Sequence, residues 1–232
     1  MRTLLDCRSG GPGLVRRGLD MQARSRFDGT AGSAGELWFV IAGTGTLECS
    51  SDPRRELTQD RGLWIPPGSD YVVQAADESD LRVDIVMLPE ETDSTAQTAG
   101  RAPVPGPALA TDLLDCDVET TGDRKFRVLF GPGRGCSAAT QFVGEIPPGR
   151  APDHSHPYDE LVLILDGAGI AHIGGAEHAL APGTCLHLPP RLRHCLENNG
   201  SAMLRVLGVF HPADTPAAKL EEGSTDMASA SA

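Results

Sequence analysis

The feature that most constrains the fold is a repeat. Glu36-x6-Gly43 recurs as Glu160-x6-Gly167, an offset of 124 residues, and Leu63-Trp64-Ile65-Pro66-Pro67 recurs as Leu186-His187-Leu188-Pro189-Pro190, an offset of 123. Two motifs displaced by the same distance to within one residue indicate an internal duplication with loop variation. Each half reads as one short β-rich run after another, punctuated by Gly and Pro, with no convincing amphipathic helix. An all-β chain of two similar barrels satisfies that pattern, and the interiors of such barrels commonly house ligands.

Strands are expected over 36–42, 46–49, 63–66, 71–75, 81–87, 125–130 and 138–143. The turn Gly43-Thr44-Gly45 between the first two predicts a hairpin. The periodicity is lost from Pro89 to Thr111, where Glu90-Glu91-Thr92-Asp93-Ser94 is followed by Pro103, Pro105 and Pro107. The expected division is a barrel over 1–88, a linker over 89–111, a second barrel over 112–213 and a disordered tail over 214–232.

A net charge of −12 and a pI near 4.9 argue against a nucleic-acid partner, which needs clustered Lys and Arg. No apolar run reaches the length of a membrane span, and the N-terminus lacks the apolar core of a secretory signal, so a cytoplasmic protein is expected. The six cysteines show no zinc-type spacing and read as packed thiols, Cys185 and Cys195 among them. All seven histidines lie between His154 and His211, which confines metal chemistry to the second half.

The segment running from Gly149 to Gly167 holds His154-Ser155-His156-Pro157-Tyr158-Asp159-Glu160. On a strand His154, His156 and Glu160 share one face. Two imidazoles and a carboxylate aimed into one space can hold a divalent first-row metal, given a further ligand from elsewhere. His194 follows the turn Pro189-Pro190-Arg191 and begins a strand that can return beside the first motif.

Residues 149–167 and 182–198 resemble the two conserved motifs of the cupins, the first with one residue fewer after its leading glycine, the second with Arg191 in place of a glycine. Over 13–88 and 125–211 the chain is similar to bicupins, which carry two tandem jelly-roll barrels. That resemblance implies a site of His154, His156, Glu160 and His194 around Fe, or alternatively Mn, Ni, Co or Zn. It also implies a homodimer, or a monomer that mimics one with its two barrels. In the first half Thr30, Gly32 and Tyr71 occupy the three histidine positions, and only Glu36 remains. That barrel is read as metal-free and structural or dimerising; alternatively Trp38, Trp64 and Tyr71 line a pocket for an apolar ligand.

An open coordination position suits a catalytic metal. The leading expectation is a metal-dependent dioxygenase acting on a small enol or polyketone-like substrate within an apolar wall of Val162, Ile164 and Leu196. The alternatives are a non-oxidative lyase or isomerase with the metal as Lewis acid, and a non-catalytic small-molecule-binding protein. Tyr158 and Asp159 are candidates for acid, base or lid roles, or belong to a solvated turn. His187 faces either the pocket or the opposite wall, and Gln141 is a candidate to orient a ligand or substrate. His172, His178, Arg191, Arg193 and Glu197 are read as surface or rim groups.

Overall fold

The computed structural model of the chain describes residues 2–8, 13–49, 54–90 and 109–217. The first half contributes β1 (Arg2–Arg8), β2 (Val15–Met21), β3 (Arg26–Thr30), β4 (Glu36–Ala42), β5 (Gly45–Cys49), β6 (Arg55–Leu57), β7 (Arg61–Ile65), β8 (Asp70–Ala75), β9 (Leu81–Met87) and β10 (Leu109–Asp112). They form a six-stranded sheet in the order β1-β2-β9-β4-β7-β10, faced by a four-stranded sheet, β3-β8-β5-β6.

The second half contributes β11 (Glu119–Thr121), β12 (Arg124–Phe130), β13 (Thr140–Ile146), β14 (Gly149–Arg150), β15 (Asp159–Asp166), β16 (Gly169–Ile173), β17 (Ala176–Leu180), β18 (Cys185–Leu188), β19 (His194–Asn198) and β20 (Leu204–His211). Its sheets run β11-β12-β13-β20-β15-β18 and β14-β19-β16-β17. Five consecutive strands of each large sheet and all four of each small sheet correspond in order. The repeat read in two short motifs is therefore a repeat of the whole strand topology, all antiparallel, in two jelly-roll barrels.

Strand parity explains where the cores lie. In β4, Trp38 and Val40 face the first barrel's interior, while Leu37 and Phe39 join a separate cluster with Leu161, Leu163, Leu207 and Val209 of the second half. In β15, Val162 and Ile164 face inward as Leu161 and Leu163 face outward. Both strands are thus apolar on both sides, because each large sheet covers its own barrel with one face and the other barrel with the opposite face. Arg205 of β20 reaches Asp60 at 3.1 Å across the halves, and buried Arg16 pairs with Asp84 at 3.0 Å beside Cys185.

The expected hairpin over 36–49 does not form. β4 pairs with β7 and β9, whereas β5 pairs with β6 and β8, so the chain changes sheets at Gly43. Gly43 has φ +84°, and a Cβ there would lie 1.8 Å from the Asp80 carbonyl oxygen. Its counterpart Gly167, at φ +87°, would meet the Met203 carbonyl at 2.7 Å. The repeated glycine marks a sheet-to-sheet corner where a neighbouring backbone passes too close for any side chain. The last residues of the expected linker form β10 on the first large sheet; 91–108, and the tail beyond 217, lie outside the described residues.

Candidate metal centre

The two histidine-bearing segments are tied together through their backbones. His154 and His194 exchange N–H···O bonds, both 2.9 Å, in an isolated antiparallel bridge. The Arg191 N–H donates to the His156 carbonyl at 2.7 Å, fastening the Pro-rich turn to the first motif. Arg191 adopts φ +65°, the left-handed conformation that its glycine-like position requires. The expectation that His154, His156 and Glu160 lie along one strand is not met: β15 starts only at Asp159, after a bend at Pro157 and Tyr158. The side chains converge because the bridge to His194, rather than strand parity, places the first two.

The ligating nitrogens of His154, His156 and His194 all lie within 4.8 Å of one another. Three nitrogens held about 2.1 Å from one ion lie about 3.0–3.6 Å apart, so closing on a metal needs side-chain shifts of about an ångström. Two of the rings are preset for it. His154 Nδ1 meets the Pro152 carbonyl at 3.1 Å and His194 Nδ1 meets the Leu192 carbonyl at 2.8 Å. A carbonyl only accepts, so each Nδ1 carries the proton and each Nε2 keeps its lone pair for a metal. Burial holds the His194 pKa below the usual value, which favours the neutral ring that coordination requires. The His156 ring stacks on Tyr158 at 4.6 Å, and Tyr158 in turn on Phe210 at 4.2 Å, which fixes the His156 plane.

Glu160 is buried, with Oε2 3.4 Å from His156 Nε2. Burial pushes its pKa up to about 7, against a lowering by Arg16 and a further raising by Asp159. The three histidines form the cluster able to hold a metal ion, and Glu160 stands beside it as a candidate fourth donor. Mixed imidazole and carboxylate donors in a buried site fit a divalent transition metal.

The site opens into a cavity of about 80 Å³. Phe126, Phe142, Val162, Leu188, Leu196 and Val206 form its apolar wall, and Arg124, Lys125 and Glu145 bring charge to it. Of the apolar wall expected from the sequence, Val162 and Leu196 line the cavity and Ile164 packs in the barrel core.

Three of the polar candidates stand elsewhere. Asp159 has the outward parity of Leu161, and His187 that of Cys185; they bind each other, Nε2 to Oδ1 at 2.6 Å, outside the cavity lining. Gln141, wholly buried, shares the outward face of Val143, and its Oε1 would lie 3.2 Å from a Cβ placed on Gly62 of the first half. One-residue alternation on β13, β15 and β18 turns all three away from the histidines. Tyr158 does line the cavity, but it is buried between two rings rather than part of a solvated turn, and burial drives its pKa far upward. Sequence reasoning missed Arg124; its signal is the inward alternation with Phe126 and Val128 along β12.

The first barrel is filled where the second is open. The Trp38 Nε1–H donates to Glu36 Oε2 at 2.8 Å, and Tyr71 meets Trp38 edge-on at 4.8 Å. Trp64 packs with the cluster between the halves, so Trp38, Trp64 and Tyr71 do not line one pocket. Burial raises the Glu36 pKa, offset in part by the Trp38 and Gly32 N–H groups.

Residues 142–210 match the Cupin_2 family, described as a cupin domain. The fold is similar to a mutant of Bacillus subtilis oxalate decarboxylase, with TM-score 0.71 and 14% identity over 90% of this chain and 71% of that one. It is also similar to a putative glyoxylate-induced protein of Pseudomonas aeruginosa, with TM-score 0.73 and 15% identity over 91% of this chain and 80% of that one. In sequence, 47 residues are 38% identical to the HTH-type transcriptional activator RhaS of Mannheimia succiniciproducens; they cover 20% of this chain and 18% of that protein's length. Among the described residues no helix is long and apolar enough to cross a membrane.

Proposed function

We propose that the second barrel is a metal-dependent enzyme acting on a small molecule, with dioxygenase chemistry as the leading reading. The carrying observation is the cluster of three imidazoles, two with Nδ1 anchored to a carbonyl, at the base of a small apolar cavity. His154, His156, His194 and Glu160 would hold a divalent transition metal, iron in the oxygenase reading. Bound there, the metal supplies a Lewis-acidic centre and, with iron, redox chemistry toward dioxygen.

The chain's own residues have separate tasks. The carbonyls of Pro152 and Leu192 keep the Nδ1 protons of their histidines and aim Nε2 inward. Glu160 gives up its proton before it can serve as a charged donor. Phe126, Phe142, Val162 and Leu196 exclude bulk water, which strengthens electrostatic interactions inside. The likeness in fold to oxalate decarboxylase supports a second reading, a non-oxidative lyase with the metal as Lewis acid.

The test is elemental analysis of protein purified without added metal, followed by oxygen uptake against small enols, ketones and carboxylic acids. The expected result is one equivalent of transition metal per chain, lost in His154→Ala, with oxygen consumed during turnover. Turnover under strictly anaerobic conditions would move the assignment to the lyase. Full metal content in His154→Ala would overturn the site.

A further inference from the structure

Arg124 is a cation that the proposed metal chemistry leaves unused. It lines the same cavity as His154, His156 and His194, and its charge is among those that depress the His194 pKa. A guanidinium has five N–H donors. Here Nη2 donates to the Leu196 carbonyl at 3.2 Å, and no carboxylate ion-pairs with Arg124 among the described residues. Other buried or half-buried arginines are treated differently: Arg16 meets Asp84 at 3.0 Å, Arg61 meets Asp112 at 2.6 Å and Arg205 meets Asp60 at 3.1 Å. Asp123 exerts only a longer-range pull, and burial draws the Arg124 pKa below the ordinary arginine value. Lys125 and Glu145, also at this cavity, are register partners on β12 and β13.

We infer that Arg124 is the carboxylate-binding group of this cavity, and that the molecule it admits is a short organic anion with an apolar body. A carboxylate accepts two parallel N–H bonds from a guanidinium, which a neutral amide or hydroxyl cannot match in charge. The next inward residue on the same strand is Phe126, and Phe142 and Leu196 complete a surface suited to a hydrocarbon portion rather than to further polar groups. An anion held by Arg124 places its remaining atoms toward the histidine cluster, because both line one small space. This rests on the enzyme reading above only for what happens next; binding itself does not require turnover.

The experiment is calorimetric titration of full-length protein, metal-free and manganese-loaded, with acetate, propionate and pyruvate, and with acetamide and propionamide as uncharged counterparts. The expected result is at least tenfold tighter binding of the carboxylates in both forms. Arg124→Gln should erase that preference in the metal-free form while loading as much manganese as the unaltered protein, and Arg124→Lys should keep part of it. Arg124→Lys also serves where the glutamine variant fails to fold, with an expected several-fold weakening. Equal binding of acids and amides, binding of neither, or an undiminished preference in a folded Arg124 variant would overturn the inference. Failure to take up metal would instead refute the enzyme reading, while the metal-free titration still reports on Arg124.

Discussion

The two barrels share strand order, corner glycine and a buried glutamate at the head of the equivalent strand, and they diverge at the second residue beyond that glutamate. In the first barrel it is Trp38, whose indole N–H caps Glu36 and whose ring fills the interior against Tyr71. In the second it is Val162, which leaves room for His156 to approach Glu160 at 3.4 Å and for a cavity beyond. A buried carboxylate needs a partner in either case. One barrel supplies a fixed neutral donor and becomes a packing unit. The other supplies imidazoles and remains able to bind.

The comparison breaks most sharply at the histidines. His194→Ala should weaken divalent-metal binding by at least about 100-fold, read by competition with a chromophoric chelator, since ligand loss exceeds the 10–100-fold effect typical of a supporting residue. Glu36→Gln should leave metal content unchanged, because the first barrel has no imidazole near it.

Next in size is the plug. Trp38→Ala should destabilise the protein by about 3–5 kcal/mol, measured by urea unfolding, through a cavity at the centre of the first barrel and the loss of the donor to Glu36. Between the barrels, Arg16→Met should cost about 3 kcal/mol by the same measurement, because it strands Asp84 without its counter-charge.

The pH dependence separates the two glutamates functionally. Below about pH 7 Glu160 in the metal-free protein is protonated, and a metal must displace that proton. Its contribution to apparent metal affinity should therefore fall about tenfold per pH unit below 7 and level off above it. Glu160→Gln should flatten that part of the profile. Smallest of all, Arg191→Gly should change stability by no more than about 1 kcal/mol, in the stabilising direction, by relieving a left-handed conformation that glycine adopts freely.

Much of the fold was legible because it rests on local chemistry. The paired Glu-x6-Gly and Pro-Pro motifs carry the duplication, and Gly43 and Gly167 mark real breaks in the chain's course. Their meaning was not local: the run through Gly43 has every mark of a hairpin, and only the pairing of β4 with β7 and β9 makes it a corner between sheets. The site divides in the same way. His154, His156, Glu160 and His194 stand out by spacing and residue type. Asp159, His187 and Gln141 look equally promising by proximity along the chain, but one step of strand alternation places them behind the sheet. Arg124 lies 30 residues before His154, and its signal along the chain is no more than the alternation it shares with Phe126 and Val128.

The sequence by itself determined that this chain is a duplicated all-β protein whose histidines are confined to one half. Composition, repeats and turn residues act over a few positions and survive without coordinates. The tertiary structure alone decided which side chains share a space: a backbone bridge rather than a strand sets His154 against His194, Trp38 closes one barrel, and Arg124 enters the other. Those outcomes depend on which face of a strand meets which sheet, a property set by long-range pairing and packing rather than by any neighbouring residue.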